Sequence, residues 1–155
     1  MRWFSLCFWI VLCLSGGFLG SQWTAAEIPT WYKGLVRPAI APPNWLFAPA
    51  WTLLYLLMAV AIWQVLGTAD LSHVRLSLAL FLLQLGLNFA WSWIFFARHQ
   101  IGLALVEIVL LWLAIGATTF SFRAISPLAA GLMLPYWVWV SFASVLNEEF
   151  WRLNR

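Results

Sequence analysis

An all-α membrane protein, a bundle of five transmembrane helices, is the fold class this sequence predicts, and three observations predict it. Hydrophobic residues make up 65% of the 155-residue chain and charged residues 8%, with a mean hydropathy of +0.91. That is too much apolar surface for one water-soluble core to hide. The charges fall almost entirely between long apolar runs, and about 20 apolar residues are enough to cross roughly 30 Å of hydrocarbon. Five such runs nearly fill the chain as a single domain over 1–155, with helices at about 3–20, 44–66, 74–96, 101–122 and 127–151. The connections after helices 2, 3 and 4 are short and predict antiparallel neighbours. Only the first loop, 21–43, is long enough to cap the bundle.

Helix 1 opens with Met1-Arg2 and ends among Ser15, Gly16 and Gly17, a pattern shared with secretory signal peptides. Its apolar run is long for such a peptide, however, and Gly16 and Gly20 form a GxxxG that lets helices approach closely, within the bundle or across a dimer. Cys7 and Cys13 fall on different faces of this helix, out of disulfide reach of each other.

The first loop is stiff. Pro38, Pro42 and Pro43 remove backbone donors and fix φ, so 37–43 reads as extended or turn, with Asn44 as the expected cap of helix 2. Pro49 then falls in the first turns, where a missing N–H costs little. Beyond it, Trp51, Tyr55, Met58 and Ile62 share one helical face. Gln84, Asn88, Trp91 and Phe95 repeat that spacing on helix 3, as Tyr136, Trp139, Ala143 and Asn147 do on helix 5. Such faces pack as core or line a shared cavity. The amides on them are interhelical hydrogen-bonding groups or pocket lining. Thirteen Trp exceed what two interfacial belts require, so some face the interior, where a large flat ligand could stack.

Glu107 is the charged residue deep within a span, and its carboxyl should be paired or protonated and turned to the bundle or an oligomer seam. His73 and His99 sit in loops at span ends, which makes them poor ligands for a buried haem iron. No metal site is expected, and no Ser/His/Asp set, carboxylate pair or glycine-rich phosphate loop can be assembled. Trp is the abundant redox-capable side chain. The net charge of +3 is scattered at span ends and suggests no nucleic-acid partner. Lys33, Arg37, Arg98, Arg152 and Arg155 lie on one side, against Arg2, Arg75 and Arg123 on the other. That balance favours an outside N-terminus and a cytoplasmic C-terminus.

Several motifs occur in a fixed order: WYxGLxRPxxxPPxW at 31–45, FAPAWTLLYxxM at 47–58, QLxLNFAWSWIFF at 84–96, ALVEIVLL at 104–111, SPLAAxLxxPYxxW at 126–139 and AxxLNxxxWR at 143–152. Together they resemble the TspO/MBR family, the tryptophan-rich sensory proteins and translocator proteins. The resemblance implies a homodimeric five-helix bundle in the lipid bilayer. It implies binding of porphyrins such as protoporphyrin IX, of cholesterol in some members, and of other planar hydrophobic small molecules, with no cofactor required. The implied ligand lies among helices 1, 2, 3 and 5 beneath the first loop. By motif position its lining is Trp51, Tyr55, Asn88, Trp91, Trp139 and Ala143, with Trp31 and Tyr32 in the loop above.

Some members are reported to degrade porphyrin in light, and the positions implicated correspond to Trp51 and Trp139, the candidate catalytic residues. Three departures stand out. Ile40 occupies a usual Trp position, Arg37 replaces a commoner Lys, and Glu148 and Glu149 interrupt the cholesterol pattern where Tyr is expected. The resulting expectation is a tetrapyrrole-binding protein of a bacterial cell membrane, acting as sensor, sequestering protein or transporter. Lys33 and Arg37 are candidates to attract porphyrin propionates. The alternatives are a light- and oxygen-dependent porphyrin-degrading enzyme using Trp radicals, and a regulatory or structural membrane partner.

Overall fold

The computed structural model describes residues 2–68 and 71–155. Five helices follow one another: α1 (Arg2–Glu27), α2 (Phe47–Thr68), α3 (Leu71–Ser92), α4 (Ile101–Arg123) and α5 (Pro127–Leu153), with no strand among the described residues. All five are long and apolar enough to cross a membrane. This is a multi-pass, all-helical membrane protein.

Around the bundle the order is α1, α2, α5, α4, α3, closing again on α1. Despite their short connection, α2 and α3 touch little, because α1 wedges between them. Glycine makes the wedge possible. A Cβ added to Gly16 would lie 1.6 Å from the Phe89 ring of α3, and one on Gly17 would lie 2.4 Å from Tyr55 of α2. Gly20 faces Ser92 in the same seam. The GxxxG of helix 1 is therefore used for close packing inside the chain.

Helix 1 runs on to Glu27, where the sequence suggested a loop from residue 21. Nothing in SQWTAAE breaks a helix. Ser21 and Thr24 donate their hydroxyls back to the carbonyls of Phe18 and Gly20, and the first stop is Ile28, which precedes Pro29. The capping loop is correspondingly shorter. Asn44 also differs from expectation: it opens a 3-10 turn, Asn44–Leu46, whose N-cap is Pro43 with no side-chain cap bond. Ser126 does cap α5, accepting from the Ala129 N–H at 3.3 Å with Pro127 in the first helical position. His73 lies within the first turn of α3 rather than in a loop.

After Ser92 the third span continues as a π-helical turn, Trp93–Ala97. The wider turn brings the consecutive rings of Phe95 and Phe96 both into the interior, at 2% and 8% exposure, which a regular α-helix, turning 100° per residue, would resist.

The first loop is tied down at one end of the bundle. Val36 exchanges two backbone hydrogen bonds with the Asn154 side chain, at 2.8 and 3.1 Å, and Glu27 pairs with His99 at 3.1 Å. Within the loop, the Arg37 guanidinium donates to the Pro42 carbonyl. Loop, α3–α4 turn and C-terminus thus gather on the same side.

Candidate ligand-binding cavity

Beneath that loop lies a cavity of about 530 Å³, within the range of small-molecule sites. Its floor is a hydrogen-bonded chain across three helices. Tyr55 of α2 donates to Asn88 Oδ1 of α3 at 2.5 Å, and Asn88 Nδ2 donates to the Tyr136 hydroxyl of α5 at 3.0 Å. A second tie stands nearer the loop. The Trp91 indole donates to Asn147 Oδ1 at 3.0 Å, and Asn147 Nδ2 donates to the Ile101 carbonyl at 3.0 Å, which joins α3, α5 and the start of α4. Buried amides in these positions are satisfied, as bilayer depth demands.

Aromatic rings build the walls. Trp51 lies against Tyr55 at 5.6 Å and meets Trp139 edge to face at 6.5 Å, with Tyr136 behind it at 6.1 Å. Phe47 closes on Trp139 at 6.2 Å. On the opposite side, Trp91 stacks on Phe95 at 5.0 Å. Overhead, the Tyr32 ring sits between Phe96 and Phe150, at 5.8 and 5.4 Å. Burial pushes the Tyr32 phenol up from its ordinary pKa while the nearby Arg37 charge pulls the other way, so it stays a neutral donor and acceptor around pH 7.

The α1 wall carries no indole and sets the small or polar Gly17, Gly20, Ser21, Thr24 and Ala25 beside Leu14 and Phe18, while Ala48 and Thr52 of α2 add further small or polar lining. Among the described residues, no group of His, Cys, Asp and Glu could hold a metal ion.

The sequence profile of the TspO/MBR family matches residues 9–152. The chain belongs to the TspO/MBR family. It is 44% identical to a tryptophan-rich protein TspO of Chlorobaculum tepidum over 97% of this chain and 94% of that protein. It is 41% identical to a Bos taurus translocator protein, covering 90% and 84% of the two chains. With the protein CrtK of Rhodobacter capsulatus the identity is 36%, over 94% and 90%.

In this TspO/MBR chain, seven of the eight candidate ligand-binding residues line the cavity: the loop residue Tyr32, and Trp51, Tyr55, Asn88, Trp91, Trp139 and Ala143 on the helices. Trp31 does not. It lies outside the roof, stacked on the His99 ring at 4.2 Å and 15° and edge-on to Phe95. The loop cations are also outside, as neither Lys33 nor Arg37 lines the cavity. The α1 contribution beyond Gly20 was not anticipated from the sequence. Its signal was the i, i+3, i+4, i+7 run of Ser21, Thr24, Ala25 and Ile28. Four buried side chains have polar groups with no hydrogen bond among the described residues: the Gln84 amide on α3, the Glu107 carboxyl on α4, and the indole N–H groups of Trp137 and Trp139 on α5. Among the described residues, Gln84 therefore makes no interhelical bond and Glu107 is buried without an ion-pair partner.

Proposed function

We propose that this protein binds planar tetrapyrroles of the protoporphyrin type in the membrane, as a sensor, sequestering protein or transporter working as a homodimer. The observation that carries this reading is the facing pair Trp51 and Trp139, 6.5 Å apart at 84°, in a cavity whose wall is predominantly apolar and aromatic. Offset and edge-on ring contacts are the geometry that grips a flat π-system. Asn88 and Tyr55 below, and Tyr32 above, set how deep it sits. Relatives named for their tryptophan content support the reading.

The test is a dark titration of the full chain with protoporphyrin IX, following quenching of Trp fluorescence. Saturable quenching is expected, weakened at least tenfold when Trp51 and Trp139 are both changed to Leu. Linear, unsaturated quenching in both proteins would overturn it.

A second reading, light- and oxygen-dependent porphyrin degradation, is favoured by the continuous ring contacts from Tyr55 through Trp51 to Trp139, which offer a short path for an oxidising equivalent away from a bound macrocycle. Loss of porphyrin absorbance that requires protein, light and oxygen together, and that disappears in Trp51→Phe with binding retained, would decide for it.

A further inference from the structure

The last residue of α1 is an acid. Glu27 stands at the C-terminal, negative end of the helix dipole, where a carboxylate is disfavoured unless a cation lies beside it. His99 of the α3–α4 turn is that neighbour, with Nε2 3.1 Å from Glu27 Oε2, and the Thr30 hydroxyl donates to the same oxygen at 3.3 Å. The imidazole also lies flat against the Trp31 indole, 4.2 Å away. His99 holds both contacts with a φ of 55°, a conformation that glycine or asparagine would adopt at less cost. The strain marks a place where the ring itself is used.

Both contacts respond to one proton. Neutral imidazole has a single N–H to give. Imidazolium donates from both nitrogens and carries charge, so the contact with Glu27 becomes an ion pair and the stack on the indole face gains a cation–π component. From Trp31 the effect reaches the cavity in one step. The 3-10 turn Tyr32–Gly34 is closed by the Gly34 N–H on the Trp31 carbonyl at 3.0 Å, and Tyr32 is the ring that roofs the cavity between Phe96 and Phe150.

The remaining charges at this end are engaged elsewhere or exposed. Arg98, on the same turn, lies over the Trp93 ring at 5.3 Å. On the loop, Arg37 donates to the Pro42 carbonyl and Lys33 is exposed. On α5 and beyond it, Arg152 pairs with Glu149, Arg155 lies over Trp151, and Glu148 is exposed. The other histidine, His73, belongs to the first turn of α3, at the opposite end of that span.

We infer that Glu27, His99 and Trp31 form a proton-operated latch on the cavity roof, closed when the imidazole is charged and loosened when it is neutral. A histidine that gains an anionic partner contributes its hold at acid pH and loses it as pH rises, across the interval of about pH 5 to 8 in which imidazole changes charge. Partly exposed pairs are individually weak, so the response is several-fold rather than all-or-none. Resting on the tetrapyrrole reading above, the consequence is that a bound macrocycle is retained in acid and released toward alkaline pH.

The test places a nitroxide spin label on the loop, at Lys33→Cys in a Cys7→Ser background, with the full chain in lipid nanodiscs and no ligand. Cys13 is buried and stays unlabelled. Label mobility should rise several-fold, in a single step, between about pH 5.5 and pH 8. His99→Arg, a permanent planar cation, should hold the loop at both ends of that range. His99→Asn, which accepts the same φ without a charge, should leave it loose at both. Protoporphyrin IX release should be several-fold faster at the alkaline end in the parent and within about twofold in His99→Arg, a comparison that removes the ligand's own titration. A flat mobility profile in the parent, or a step that survives in His99→Arg, would overturn the latch and leave the tetrapyrrole reading intact. A mobility step without saturable porphyrin binding would overturn that reading and leave the latch.

Discussion

The ring of Trp31 lies flat on the ring of His99, 4.2 Å away and 15° from parallel, so the roof of the cavity is fastened to the α3–α4 turn from outside. His99 holds this position with a φ of 55°, in the left-handed region that bulky residues seldom occupy. Its Nε2 also meets Glu27 Oε2 at 3.1 Å. Partly exposed ion pairs contribute little alone, about 0.2–1 kcal/mol, but here pair and stack act on one loop. His99→Ala should leave the helices folded, release a bound ligand several-fold faster and open residues 29–43 to limited proteolysis. Unchanged release rates in stopped-flow displacement would show that Val36 and Asn154 hold the loop without help.

Asn88 is the joint of the cavity floor. Replacing it by Leu strips a partner from two buried phenols at once, Tyr55 and Tyr136, and an orphaned buried polar group costs about 1–3 kcal/mol. Interhelical hydrogen bonds in membranes average somewhat less, roughly 0.6 kcal/mol with a maximum near 1.7. The expected loss for Asn88→Leu is therefore about 1–3 kcal/mol in reversible detergent unfolding. Tyr55→Phe, which removes one bond and leaves the Asn88–Tyr136 link, should lose no more than about 1 kcal/mol.

Helical period made much of this site legible in the sequence. Trp51 with Tyr55, Asn88 with Trp91, and Trp139 with Ala143 each share a face because 3.6 residues per turn brings i and i+4 together, and three such faces met in one cavity. Three kinds of information were not in that period. Hydropathy cannot separate a polar helix end from a loop, so Ser21 to Glu27 reads as loop and the part of the α1 wall beyond Gly20 stays hidden. A π-turn leaves no mark in composition, so the paired burial of Phe95 and Phe96 was invisible. Short connections limit only one end of a helix pair, so the insertion of α1 between α2 and α3 had to come from tertiary packing at Gly16 and Gly17.

Gly16 tests that packing. A methyl group there would overlap the Phe89 ring, with 1.6 Å to its nearest carbon, and overpacking of this kind typically costs about 1–3 kcal/mol. Gly16→Ala should destabilise the bundle by that amount. In Gly16→Ala with Phe89→Ala, the ring that clashes is gone, so the two losses should be strongly non-additive. Were the GxxxG solely a contact between two copies of the chain, the losses would add and only the oligomeric state would respond.

Glu107 separates a structural carboxylate from a tolerated one. It is 7% exposed, and neither of its oxygens meets a hydrogen-bond donor among the described residues. Removing one member of a buried ion pair costs about 3–5 kcal/mol because the other charge is stranded. Glu107 strands nothing, so Glu107→Gln should keep stability within about 0.5 kcal/mol, the range of substitutions that break no specific interaction. Glu107→Leu should equal or exceed the parent, since it removes a polar group from the apolar seam at similar length. A loss above about 2 kcal/mol for Glu107→Gln would mean that the carboxylate is paired in the membrane. A second copy of the chain would then be the partner to seek, by disulfide trapping along the exposed face formed by Leu103, Val106 and Leu110 beside it.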